Sequence, residues 1–145
     1  MKVKKIVFAT GNPNKLKEIK SAIKSFEIVG LKDLGITEEI PEDGTTLKEN
    51  ALQKAKYIYD KTGVNCFSDD TGLEIETLDN RPGVYSARYA GGKCKAEDNM
   101  KKVLKELSGV RNRKAQFKTI IALILNGKEY FFEGVINGNI LEEKI

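Results

Sequence analysis

The pattern of apolar and polar positions near the start of the chain predicts a strand, a helix and a second strand. β-Branched and aromatic residues over 5–9 predict a buried strand, and an apolar stripe with helical spacing follows over 13–26. Asn12 suits the N-cap of that helix and Pro13 its first position. A short strand is predicted over 27–31. The stripe of the helix comprises Leu16, Ile19, Ile23 and Phe26.

A second helix has clear signals at both ends. Residues 32–44 are polar and acidic and are predicted to form a loop. Thr46 and Glu49 then match a capping box, and Gly63 marks the end of the helix. One face of this helix is apolar and is predicted to pack against the core. It comprises Leu47, Ala51, Ala55 and Ile58.

The second half of the chain predicts two strands, a helix and a hairpin. The first strand covers 64–68 and ends at Asp69-Asp70-Thr71-Gly72, and another covers 73–78. A helix over 96–107 stops at Gly109. Strands over 115–125 and 128–136 flank Asn126-Gly127, a strong hairpin signal. The inward residues of the helix are predicted to be Met100, Val103, Leu104 and Leu107.

This order of elements predicts an α/β protein with a mixed sheet and helices packed on it. The chain has 145 residues, of which 40% are hydrophobic and 32% charged, as expected of one folded domain over 1–145. The net charge of +4 is too small to indicate nucleic-acid binding. No signal peptide or membrane-length apolar run occurs, so we expect a cytoplasmic protein with no membrane partner.

Histidine and cysteine usage narrows the possible chemistry. The sequence contains no histidine, which excludes Ser-His and Cys-His nucleophilic catalysis and His-ligated zinc within this chain. Cys66 and Cys94 lie far apart and outside a C-x-x-C pattern, which favours free thiols in a reducing compartment. Hydrolytic chemistry would therefore use carboxylates, lysines, hydroxyls or an oxygen-ligated metal.

The loop between the first strand and first helix is a candidate phosphate site. A helix N-terminus presents backbone N–H groups and the positive end of its dipole to an anion. Gly11 permits close approach of the backbone, Thr10 and Asn12 add polar groups, and Lys15 adds a charge. The pattern is not a Walker P-loop. The alternative is that Asn12 only caps the helix and Gly11 only turns the chain.

Acidic residues supply a candidate metal site. Asp69 and Asp70 end a strand that should be buried, and ligands of α/β sheets bind at such strand ends. Mg²⁺ is usually held by one or two carboxylates together with substrate phosphates, and a nearby carboxylate can deprotonate water. The second acid could come from the acidic loop, but spacing does not choose among its members, Glu38, Glu39, Glu42 and Asp43. The alternative is that all these acids are simply solvated and hold no metal.

A third stretch, "RPGVYSARYAGG" over 81–92, combines glycines, tyrosines and arginines. Arg88 could pair with a phosphate. A structural or interface role for the whole stretch is the alternative.

Four motifs together resemble the inosine-triphosphate pyrophosphatase-like family, in particular its bacterial dITP/XTP branch. They are "TGNPNKLKEI", "EDGTTLKENALQKA", "SDDTGLEIETL" and "RPGVYSARYAGG", in that order. The resemblance runs from about Val3 to the end of the chain. It implies an elongated mixed β-sheet flanked by helices, with two lobes around a substrate cleft, and a homodimer. A Maf-like pyrophosphatase is disfavoured because Asn12-Pro13-Asn14-Lys15 does not match its Ser-Pro-Arg-Arg opening.

The resemblance also implies roles for individual residues. Asp70 would be the general base and a Mg²⁺ ligand, and Glu39 would be the other metal-ligating acid. Thr71 and Arg88 would contact substrate. The triphosphate would be bound by the opening loop, that is by Thr10, Gly11, Asn12, Pro13, Asn14 and Lys15.

The implied reaction hydrolyses non-standard purine nucleoside triphosphates to the monophosphate and pyrophosphate. Members of the family continue past the position of Ile145 with a segment that supplies most of the purine contacts. We therefore expect 1–145 to be a single domain that lacks this C-terminal segment. The alternative function is a nucleotide-binding protein that is catalytically impaired or regulatory.

Overall fold

The computed structural model describes residues 4–91 and 95–143 and contains six strands and three α-helices. The strands are β1 (Lys4–Phe8), β2 (Phe26–Val29), β3 (Cys66–Ile75), β4 (Arg81–Gly83), β5 (Lys114–Leu125) and β6 (Lys128–Asn139). The helices are α1 (Pro13–Ala22), α2 (Leu47–Thr62) and α3 (Ala96–Glu106). Short 3₁₀ helices cover Lys32–Leu34, Glu76–Leu78 and Ser86–Arg88.

The strands form one mixed sheet in the order β2-β1-β3-β5-β6, with β4 beside β3. β1 pairs in parallel with β2 and with the first part of β3, where Phe8 lies opposite Phe67. The later part of β3 pairs antiparallel with β4, and Leu73 lies opposite Gly83. The predicted α/β class and mixed sheet are therefore confirmed.

The chain divides into two compact units, Met1–Asp70 with Ile120–Phe132 and Thr71–Thr119 with Glu133–Ile145. In the first unit, the apolar part of β1, from Ile6 to Phe8, is buried on both faces. Ile6 and Phe8 belong to the apolar cluster that receives the stripe of α1, whereas Val7 belongs to the cluster that contains Ala51 of α2. A strand segment covered on both faces is apolar without alternation, which explains the continuous hydrophobic run that ends β1.

The second unit has its own core. Ile75 and Leu78, at the end of β3 and in the following turn, pack with Val103 and Leu107 of α3. Met100 was predicted to face inward but is 42% exposed, so the buried stripe of α3 is narrower than its sequence pattern.

Two predicted boundaries are wrong for the same physical reason. α1 ends at Ala22 rather than at residue 26, because Phe26 already pairs with Lys4 as the first residue of β2. β3 is one strand from Cys66 to Ile75, whereas two strands were predicted on either side of the Asp-Asp-Thr-Gly segment. In both places, pairing with a strand distant in the chain overrides the local pattern.

The remaining local signals are confirmed. Asn126 and Gly127 both have positive φ, 51° and 83°, as the tight turn between β5 and β6 requires. Thr46 accepts a hydrogen bond from the N–H of Glu49, and Gly63 ends α2 in the left-handed conformation. Cys66 is a buried free thiol, and Cys94 lies outside the described residues.

Candidate functional site

The opening loop forms hydrogen bonds between its own residues. The Asn12 side-chain oxygen accepts from the N–H groups of Asn14 and Lys15, at 2.9 and 3.3 Å. The Asn12 N–H in turn donates to Thr10 Oγ1 at 3.1 Å. Asn12 is therefore a true N-cap, and two of the amides that the sequence offered to an anion are already occupied.

Several donors of the same loop are nevertheless left for a ligand. Within the part of the chain that the structure describes, the N–H of Gly11 forms no hydrogen bond. A Cβ placed on Gly11 would meet nothing within 4 Å, so the space beside this residue is open. The Thr10 hydroxyl and the Asn12 amide nitrogen are also able to donate. Exposed Pro13 and Asn14 complete the first turn of α1.

Lys15 brings this loop to the acids of β3. Its ammonium forms an ion pair with Asp69 Oδ2 at 2.8 Å, and the Asp69 side chain is 12% exposed. Parallel pairing of β1 with β3 makes this contact possible, because Asp69 lies two residues after Phe67, the last residue of β3 that pairs with β1. An ammonium has three donors, so Lys15 can bind Asp69 and a phosphate at the same time.

The two acids of β3 keep oxygen atoms without partners. Asp69 Oδ1 and Asp70 Oδ2 are buried and form no hydrogen bond within the described residues. A buried carboxylate oxygen without a donor is unfavourable, so such atoms indicate a place where a cation or a donor completes the site.

Lys54 of α2 is a second cation at this cluster, and sequence reasoning missed it. Its ammonium donates to the backbone oxygen of Asp69 at 2.7 Å and forms an ion pair with Glu42 Oε1 at 2.9 Å. The side chain is only 15% exposed. Helical spacing is the sequence feature that could have revealed Lys54. Lys54 follows the buried Asn50 by one helical turn and therefore projects from the same side of α2.

The environment of Asp70 favours its protonated form. Burial raises the pKa of the Asp70 carboxyl above its ordinary value, and Glu42 and Asp69 add to the rise. Lys54 and a hydrogen bond from the Asn50 side chain act in the opposite direction and lower this pKa. A carboxylate with a raised pKa is the kind of group that accepts a proton from water near neutral pH.

Among the acidic-loop residues, Glu42 and not Glu39 acts on Asp70. Glu39 is exposed and forms no hydrogen bond or ion pair within the described residues. Glu38 is held elsewhere, by Tyr57 and Lys61. Glu39 as a metal ligand thus stays a prediction, while Glu42 is the loop acid whose charge raises the pKa of Asp70.

Thr71 and Arg88 belong to the second unit. The Thr71 hydroxyl bonds that of Thr119 at 2.7 Å. Arg88 lies in the short 3₁₀ helix, with its guanidinium 5.3 Å from the centre of the Tyr85 ring. It forms no ion pair within the described residues. The predicted substrate contacts of both residues stay predictions.

These features define an α/β protein with a capped glycine loop, two lysines and a cluster of partly unpartnered carboxylates at one end of its parallel strands. Ligands of α/β sheets bind at such ends. Comparison with known proteins identifies the family to which this α/β protein belongs. The model of the Ham1 family matches residues 6–145, and the chain belongs to this family.

Individual relatives agree with that assignment. A dITP/XTP pyrophosphatase of Flavobacterium johnsoniae is 50% identical over 141 residues, covering 97% of this chain and 73% of the relative. The structure of the Staphylococcus aureus Ham1 protein superposes with a TM-score of 0.89 at 32% identity, covering 98% of this chain and 74% of that one. A nucleoside-triphosphatase/dITP/XTP pyrophosphatase from Mycobacterium abscessus gives 0.82 at 36% identity, with coverages of 95% and 75%. The resemblance drawn from the four motifs is confirmed.

Proposed function

We propose that this chain hydrolyses non-standard purine nucleoside triphosphates, of the dITP/ITP and XTP type, to the monophosphate and pyrophosphate. The curated relatives named dITP/XTP pyrophosphatase support the reaction class. The structural observation that carries the proposal is the pair of buried, unpartnered oxygens on Asp69 and Asp70, next to the capped loop and Lys15.

The residues at this cluster fit a hard divalent cation. Unpartnered carboxylate oxygens are ligands that Mg²⁺ prefers. Within residues 4–91 and 95–143, no group of three or more acids, cysteines or histidines is placed to hold a metal by itself. Mg²⁺ sites that rely on substrate phosphates need only one or two carboxylates. Asp70 would hold the ion together with an acid of the loop, which is Glu39 by resemblance; Glu42, whose carboxylate pairs with Lys54, is the other candidate.

When bound, Mg²⁺ would neutralise charge on the phosphates. The remaining chemistry falls to residues of the chain. Lys15 and the Gly11 N–H would bind phosphate oxygens, with polar contacts from Thr10 and Asn12. Asp70 would accept a proton from water as the water oxygen bonds to the α-phosphorus. The bond from the α-phosphorus to the bridging oxygen then breaks, and pyrophosphate leaves.

The test is release of pyrophosphate from dITP, XTP and ATP with Mg²⁺. Wild type should act on dITP and XTP far better than on ATP, and Asp70→Asn should lose about 10²–10⁴-fold, the usual contribution of a general base. Asp60→Asn, a change at an exposed acid of α2, is the matched control and should be near wild type. Nucleotide binding without pyrophosphate release would instead favour the non-catalytic alternative, and efficient ATP turnover would contradict the substrate class.

We also propose a cytoplasmic homodimer that binds no nucleic acid. The resemblance implies the dimer, whereas the other two expectations rest on the absence of a targeting signal in the sequence and on its small net charge of +4. No described helix is both long enough and apolar enough to cross a membrane. Light scattering of the purified chain tests the dimer, and a single-chain mass at micromolar concentration would contradict it.

A further inference from the structure

The chain segment just before α2 runs back along one side of that helix. Three consecutive backbone N–H groups of the segment each donate to a side-chain oxygen of α2. The pairs are Thr45 with Glu49 at 2.7 Å, Gly44 with Asn50 at 2.7 Å, and Asp43 with Gln53 at 3.0 Å. We call these three hydrogen bonds the loop–helix ladder.

The next residue back along the loop, Glu42, continues the same alignment. Its Oε1 pairs with the ammonium of Lys54 at 2.9 Å, one position after the last helix residue of the ladder. Lys54 also donates to the backbone oxygen of Asp69 at 2.7 Å. The ladder therefore leads Glu42 to the acids of β3. The Glu42 side chain is 39% exposed, so a ligand can reach it.

The middle contact of the ladder leaves no room for the loop to shift toward the helix. The Asn50 side chain belongs to a residue that is only 2% exposed. A Cβ on Gly44 would stand 2.8 Å from Asn50 Oδ1 and 2.6 Å from the Cβ of Glu49. Contacts this short would force the backbone away, so the position requires glycine. Asn50 and Gly44 thus fix where the loop lies on α2.

Capping of α2 explains only the first contact of the ladder. The cap consists of the Thr46 hydroxyl, which accepts the N–H of Glu49 at 3.0 Å, and the Glu49 carboxylate beside Thr45. Asn50 and Gln53 lie beyond the cap and hold residues that precede it. Water could satisfy the same loop N–H groups without fixing the loop. The two outer contacts therefore set a position and do more than complete the helix end.

We propose that the loop–helix ladder, with Asn50 at its centre, is a positioning device for the metal site. It holds the Glu42 carboxylate at the acid end of β3 before a cation binds. The role rests on the proposed function, in which Asp70, with its unpartnered Oδ2, and a loop acid hold Mg²⁺. Groups that orient metal ligands typically change metal affinity by about 10- to 100-fold. Asn50 acts through the loop and itself touches neither metal nor substrate.

The test measures binding of Mn²⁺, as a paramagnetic probe for Mg²⁺, from the electron paramagnetic resonance signal of the free ion. Asn50→Ala removes the central acceptor. Gly44→Ala keeps every side chain of the ladder and introduces the short Cβ contacts. The matched control is Gly134→Ala, because a Cβ on this exposed glycine would meet nothing within 4 Å. Asn50→Ala and Gly44→Ala are also made in a Glu42→Gln background. Hydrogen exchange of the amides at 43–45 is measured without metal.

Asn50→Ala and Gly44→Ala should each weaken Mn²⁺ binding about 10- to 100-fold, and Gly134→Ala should stay within about twofold of wild type. In the Glu42→Gln background, the same two substitutions should add less than about twofold, because the carboxylate that the ladder positions is already absent. A purely structural effect would be equal in both backgrounds. The amides at 43–45 should exchange slowly in wild type without metal and faster in Asn50→Ala.

The proposal is wrong if wild type binds no Mn²⁺, if both variants bind it as wild type does, or if their losses are equal in the two backgrounds. Fast exchange at 43–45 in metal-free wild type would also overturn it. Should Asn50→Ala fail to fold, Gly44→Ala decides by the same comparison. The expected Mn²⁺ effects without release of pyrophosphate from dITP would support the ladder and refute the proposed function.

Discussion

Replacement of Lys54 by methionine should show how far the acid cluster depends on this one cation. Methionine keeps most of the apolar stem and removes the charge. The lost contacts are the hydrogen bond to the Asp69 backbone oxygen at 2.7 Å and the ion pair with Glu42 at 2.9 Å. A hydrogen bond from a charged donor contributes about 1.5–3 kcal/mol, and an ion pair with a partly exposed partner up to about 1 kcal/mol. Lys54→Met should therefore lower the free energy of unfolding by about 3 kcal/mol.

The assay is urea denaturation and thermal melting at pH 7 in EDTA, which keeps divalent cations from replacing the lost charge. For a chain of this length, about 3 kcal/mol corresponds to a fall in Tm of roughly 6–12 °C. The matched control is Lys56→Met on the same helix. Lys56 is 3.9 Å from Glu129 with both side chains well exposed, so its loss should change stability by less than about 0.5 kcal/mol.

A double-mutant cycle with Glu42→Gln tests the reasoning more sharply. In wild type, Glu42→Gln should cost up to about 1 kcal/mol, because it breaks the ion pair with Lys54. In the Lys54→Met background it should stabilise the protein, because Glu42 then only repels Asp70. Equal effects of Glu42→Gln in the two backgrounds, or equal costs of Lys54→Met and Lys56→Met, would refute the interpretation of Lys54 as a buried partner of the acids.

Other predictions concern single residues. Burial raises the pKa of the Cys66 thiol from 9.0 to about 12, so the native state holds this proton more tightly than the unfolded chain. Between pH 9 and 12, wild type should lose about 1.4 kcal/mol per pH unit relative to Cys66→Ala in urea titrations; parallel pH curves would contradict this. Thr46→Ala removes the cap of α2 and should cost about 1 kcal/mol, with Thr46→Ser close to wild type by the same titration. Gly11→Ala has open space around it, so it should leave Tm unchanged and raise KM for dITP; a fall in Tm would show that the protein itself needs this glycine.

The parts of the fold that the sequence predicted are those with local causes. Asn126-Gly127 needs only its own two residues to favour the hairpin turn, and Thr46 with Glu49 caps α2 across one turn. The two wrong boundaries, at the end of α1 and within β3, lie where distant strands pair. Such pairing has no signature in a short window of sequence.

The residues of the candidate site that could be predicted are likewise those with a local signal in the sequence. The opening loop and Asp70 were found because each follows a strand, a position readable in the chain itself. Lys54 was missed because its contact crosses from α2 to β3, and a lysine is not unusual on a helix. The choice between Glu39 and Glu42 depends on how α2 holds the loop before it, which is a tertiary property.

The opening loop shows why a cap and an anion site need not be alternatives. Asn12 occupies the amides of Asn14 and Lys15, so a phosphate could use them only by displacing the Asn12 oxygen. The hydrogen bonds of the cap use neither the Gly11 N–H nor the Lys15 ammonium. The donors that remain are therefore the open Gly11 N–H and the Lys15 ammonium, which already lies against Asp69. The phosphate affinity of this loop should thus depend on its lysine more than on the helix dipole, since a capped terminus has fewer free N–H groups to offer.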